Sequence, residues 1–140
     1  LITIGAALGL GKALQESGAA AEIANSIFTF AGNHPWVILI ALYILTVVLT
    51  ETISNNAVAA MLLPLAIEIA ATGDWNARPF IFTITIAASL SFVTPIGYQT
   101  NLMVMGPGGY RVNDYFRCGL PLAILMGICA ITLIPVVAQF

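Results

Sequence analysis

Charge is scarce in this sequence. Only 7% of its 140 residues are charged and 60% are hydrophobic, where an average soluble domain is about 25% charged. Such a chain cannot coat itself with polar groups in water, and a mean hydropathy of +1.01 reads as a protein solvated by lipid. Four Lys and Arg residues exclude the electrostatic footprint of a nucleic-acid binder. One histidine, His34, and two cysteines leave nothing for a zinc motif, and no nucleophile–base pair marks an enzyme. Cys118 and Cys129 lie about three turns apart on one expected helix, too far for a disulfide, and read as packing residues. No basic segment with a small-residue cleavage pattern precedes the first apolar run, so a signal peptide is not expected.

What is present is apolar length, broken by polar punctuation. At about 20 residues per crossing the chain has room for four or five membrane segments. It starts at Leu1 inside an apolar stretch and is expected to be a piece of a longer protein. Residues 1–11 are apolar. Residues 19–31 put Ile23, Ile27 and Phe30 on one face but carry Glu22, which predicts an interfacial helix. Gly32-Asn33-His34-Pro35 reads as a turn. Residues 36–50 are uncharged, Glu51-Thr52-Ile53-Ser54-Asn55-Asn56 interrupts them, and residues 57–71 resume with only Glu68 charged. Each arm is about 22 Å long, short of the roughly 30 Å hydrocarbon core. That predicts a re-entrant hairpin, whose non-helical tip survives at the midplane only by lining a cavity. An aqueous loop between two short spanning helices is the competing reading, and it leaves the next interruption unexplained.

Pro79 to Tyr110 is also uncharged, yet Thr94-Pro95-Ile96-Gly97-Tyr98-Gln99-Thr100-Asn101 falls within it. Proline and glycine there predict a helix over 80–93, an unwound stretch, and a second helix over 99–106. Gly106-Pro107-Gly108-Gly109 is expected to end that helix. Arg111, Asp114 and Arg117 are expected in a charged loop, followed by a crossing over 118–140. The chain then divides into a transmembrane helix end plus interfacial helix (1–32), a re-entrant hairpin (33–73), a broken transmembrane helix (79–106) and a final transmembrane helix (116–140). The fold class is all-α integral membrane.

Two polar clusters in hydrocarbon would each cost several kcal/mol if left unsatisfied. Uncharged oxygens from Thr, Asn and unwound carbonyls suit a hard monovalent cation such as sodium, while half-helix N-termini suit an anion. Interrupted helices that meet at the midplane point to a secondary transporter. Glu51 is an intramembrane carboxyl: it serves proton coupling or tunes a sodium site, or it hydrogen-bonds the tip backbone. Gly9-Leu10-Gly11-Lys12 lacks the spacing and preceding strand of a phosphate loop. The slight excess of Arg in 107–117 puts that segment in the cytoplasm, the hairpin opening outward and Phe140 outside.

The stretches ETISNNAVAAMLLPLA and SFVTPIGYQTNLMVMGPGGYRVNDYFRCGLPL resemble the second repeat of the divalent anion:sodium symporter (DASS) family, in particular its sulfate-type branch within the ion transporter superfamily. The resemblance covers about residues 35–140. The family's Ser-Asn-Thr hairpin tip is similar to Ser54-Asn55-Asn56, with asparagine replacing the threonine, and substrate identity, sulfate or dicarboxylate, is the property this leaves open. The resemblance implies an anion pocket of Ser54, Asn55, Asn56, Gln99, Thr100 and Asn101. It implies a sodium cage of Thr50, the Ile53 carbonyl, Asn55 and the Gly97 carbonyl. It further implies a multi-pass plasma (inner) membrane protein, not an enzyme, that couples sodium to uptake of a divalent inorganic or organic anion. It would need no cofactor beyond the coupling ion. Its partners would be the lipid bilayer, an N-terminal repeat outside these residues and a second copy in a homodimer. A sodium/proton antiporter or oxyanion efflux permease of the same superfamily, and a non-transporting scaffold or channel subunit, are the alternatives.

Overall fold

The computed structural model describes residues 2–32 and 34–138. Asn33 of the expected turn, the side chain of Phe30, and residues 139 and 140 of the expected last crossing lie outside the described residues. Among the described residues the regular elements are all helices: α1 (Ile2–Glu16), α2 (Ala19–Ala31), α3 (Pro35–Thr50), α4 (Asn55–Gly73), α5 (Arg78–Ala88), α6 (Gln99–Gly108) and α7 (Val112–Val137). α4 and α7 are long and apolar enough to cross a membrane.

The core lies where α3, α4 and α5 meet. α3 buries Ile38, Leu39, Leu42, Tyr43, Thr46 and Thr50 at helical spacing. α4 answers with Val58, Leu62, Leu65, Ala66 and Ile69, and α5 inserts Phe80, Ile84 and Ala87 between them. α1 and α2 pack against α4 on the other side. α7 buries a narrow stripe of Gly119, Ala123, Gly127, Ala130 and Ile134, small enough for a close approach. Its other face exposes Ile124, Leu125, Ile128, Leu133 and Val136, each more than half accessible. A continuous apolar face of that length is tolerable against lipid or protein, and not against water.

Four boundaries differ from the sequence expectation. The hairpin interruption is confined to residues 51–54, because extended Ser54 (φ −60°, ψ 142°) starts α4 and makes Asn55 and Asn56 helical. α5 ends at Ala88 instead of 93, well before Pro95. At that end the Ala88 carbonyl accepts the Thr50 hydroxyl, and further on the backbone N–H groups of Val93 and Thr94 donate to the Glu51 carboxylate instead of to a helix. α6 runs through Pro107 to Gly108, and left-handed Gly109 (φ 63°) closes it. Arg111, Asp114 and Arg117 do not form a loop. Asp114 Oδ2 accepts the Arg111 N–H at 2.8 Å, so the charged residues open α7 at Val112.

Candidate functional site

Four helix ends converge on the two interruptions. α3 and α5 arrive by their C-termini, joined where the Thr50 hydroxyl donates to the Ala88 carbonyl at 2.6 Å. α4 and α6 leave by their N-termini, and Ser54, Asn55, Asn56, Gly97, Tyr98, Gln99 and Thr100 line a cavity of about 260 Å3 between them. Neither N-terminus carries a side-chain cap. Helix geometry leaves first-turn N–H groups without an intrahelical acceptor, so both helices direct donors and a partial positive charge at this cavity. The opposite ends bring carbonyl oxygens and partial negative charge to the same region.

Most helical hydroxyls here bond back to their own helix, as Thr46 does to Leu42, Thr83 to Pro79 and Thr132 to Ile128. At the interruptions Thr50 and Thr94 instead bond across, to the carbonyls of Ala88 and Glu51. Glu51, 8% exposed, accepts the Val93 N–H at 2.9 Å on Oε1 and the Thr94 N–H at 2.7 Å on Oε2. The Thr94 hydroxyl donates to the Glu51 carbonyl at 2.8 Å and accepts the Gly97 N–H at 3.3 Å. A buried carboxylate is tolerated when its oxygens are filled in this way. Gly97 is pressed against the tip: a Cβ there would strike the Ser91 hydroxyl and approach the Thr50 carbonyl to 2.6 Å and Glu51 Cα to 3.0 Å. From the other side α7 crosses at Gly119, where a Cβ would strike the Phe92 carbonyl and come within 3.1 Å of Val93 Cα. The unwound segment is therefore held between hairpin tip and α7.

Of the residues expected in an anion pocket, Ser54, Asn55, Asn56, Gln99 and Thr100 line this cavity, together with Gly97. Asn101 is turned away. Its amide donates to the Ser91 and Thr94 carbonyls at 3.2 and 3.4 Å, its carbonyl accepts the Tyr115 hydroxyl at 2.8 Å, and it lines a second cavity beside Phe92 and Gly119. Thr50 is fully buried behind the first cavity, and the Ile53 side chain is 40% exposed at the tip. Ser91, Thr94 and Gly119 had no site role in the sequence reading. Ser91 is buried, and its hydroxyl has no hydrogen-bond partner among the described residues. Thr94, directly before Pro95, carried the one usable signal, since a residue in that position leaves the helical conformation.

The citrate transporter (CitMHS) family model matches residues 1–140. The chain belongs to this family. Similar proteins include an uncharacterized transporter of Synechocystis sp., 45% identical over 84% of this chain and 19% of its own length. A probable sodium/sulfate cotransporter 3 of Chlamydomonas reinhardtii is 37% identical over 92% of this chain and 15% of its own. A sodium-dependent low-affinity dicarboxylate transporter 1 of Caenorhabditis elegans is 30% identical over 86% and 21%. These relatives accord with the DASS resemblance, and this citrate transporter family member is a membrane protein whose named relatives are transporters, not enzymes. The chain spans about a fifth of the length of the curated relatives it matches.

Proposed function

We propose that the whole protein is a multi-pass secondary transporter of the plasma (inner) membrane that takes up a divalent anion, sulfate or a dicarboxylate, driven by sodium. The observation that carries this reading is the cavity between the N-termini of α4 and α6, with the C-termini of α3 and α5 joined beside it. Ser54, Asn55, Asn56, Gln99 and Thr100 supply uncharged donors, and two helix dipoles supply positive potential for an anion. The Thr50 hydroxyl, the Ile53 and Gly97 carbonyls and the Asn55 amide oxygen supply neutral oxygens for sodium, the bound charge then raising affinity for the anion next to it. Relatives named as sodium/sulfate and sodium-dependent dicarboxylate transporters support the same pair of ligands. Alternating access would come from movement of the loaded hairpin and broken helix against the rest of the protein, which includes a matching first repeat and, in the assembled state, a second copy.

Buried Glu51 is the observation that favours a sodium/proton antiporter instead. Against it, both carboxylate oxygens are occupied as acceptors, and a proton cycle would break those contacts at every turnover. The deciding measurement is uptake of labelled sulfate and succinate by the full-length protein with and without an inward sodium gradient. Sodium-dependent uptake of either is expected. Uptake of both that ignores sodium overturns symport.

A further inference from the structure

The cavity is built from two segments far apart in sequence, and the side chains of Glu51 and Thr94 join them. Its carboxylate bridges Val93 and Thr94 N–H, its carbonyl holds the Thr94 hydroxyl, and that hydroxyl in turn receives the Gly97 N–H. The bonds therefore run from the start of the hairpin tip to Gly97, which lines the cavity. None of the three backbone N–H groups that Glu51 and Thr94 hold belongs to a regular helix, so without them the peptide groups of Val93, Thr94 and Gly97 would have to find other partners or water.

We propose that Glu51 is a positioning residue that fastens the hairpin tip to the unwound segment, keeping Asn55 and Gly97 at a spacing that binds the cation. The inference rests on the sodium reading of the cavity. Charge-assisted bonds to backbone amides are short and about twice as strong as neutral ones, which suits a fastening that must hold while the site empties and refills.

The test uses the full-length protein with Glu51→Gln and Glu51→Ala. Hydrogen exchange of the Val93 and Thr94 amides reads the fastening itself, and the sodium concentration for half-maximal uptake reads its consequence. Glu51→Gln keeps the shape and one acceptor oxygen, so it reports even if the alanine variant fails to fold. Exchange at these two amides is expected to rise about tenfold or more in either variant. Half-saturating sodium is expected to rise by a similar factor, with the anion KM at saturating sodium moving much less. Thr94→Val should shift both readouts in the same direction. Unchanged exchange in both Glu51 variants overturns the proposal, and so does faster exchange with unaltered sodium dependence. If the unsubstituted protein proves indifferent to sodium, the symport reading and the cation-spacing role fall together, while the exchange result still decides whether the fastening exists.

Discussion

An alanine at Gly97 would press its methyl group against the Ser91 hydroxyl, the Thr50 carbonyl and Glu51 Cα. Two of those three are backbone atoms at a hairpin tip already fixed by Glu51, so the strain cannot be relieved by a rotamer change. Overpacking of this kind costs about 1–3 kcal/mol, and here the cost falls on the spacing between Asn55 and Gly97. Gly97→Ala is expected to cut the initial rate of sodium-driven uptake about tenfold or more, normalised to the amount of full-length protein in the membrane. Gly106→Ala is the matched control, since an added Cβ there meets nothing within 4 Å; a Gly97→Ala variant that transports as well as Gly106→Ala would discredit the tight junction. The two interruptions that line the cavity were legible in the sequence because polar residues, proline and glycine inside an apolar run are conspicuous. Ser91 and Gly119 were not, because a serine or a glycine in a membrane helix is ordinarily a packing residue. Only the three-dimensional junction shows Ser91 facing Gly97 and Gly119 facing the Phe92 carbonyl.

The elements follow the same division. Lengths of apolar sequence placed α3, α4 and the two pieces of the broken helix, but their ends depend on contacts that no local pattern contains. α5 stops at Ala88, where the Thr50 hydroxyl takes its carbonyl, and an acid from the hairpin takes the amides of Val93 and Thr94 beyond it. α7 begins at Val112 because Asp114 caps a segment whose charges read as a loop. α7 also carries a prediction of its own. Its 26 residues make a rod of about 39 Å, long enough for the hydrocarbon core with a little tilt. Both cysteines are on exposed parts of it, Cys118 near its start and Cys129 deep within. In sealed vesicles holding the full-length protein, a membrane-impermeant maleimide is expected to leave Cys129 unmodified from either side, and to modify it once detergent and denaturant bring the thiol into water, where the reactive thiolate forms. Modification of Cys129 by the impermeant reagent would place that face in water and contradict the crossing.

At the scale of the molecule, the described residues contain a junction but not a pathway. Hairpin tip, unwound segment and α7 hold one another in place, and two helix N-termini define one side of a cavity. The apolar side chains of α7 from Ile124 to Val136 face outward, and the chain spans about a fifth of the length of its relatives. Alternating access needs a second body against which this one moves, and an anion held by neutral donors on one side alone has no barrier behind it. Residues 1–140 expressed alone are therefore expected to insert into liposomes as helices and to give no sodium-driven uptake of sulfate or succinate above empty liposomes. The full-length protein, and the same chain co-reconstituted with the remainder as a separate piece, are expected to give uptake. Transport by residues 1–140 alone would mean that the junction is a complete site, and that the N-terminal first repeat implied by the resemblance is dispensable.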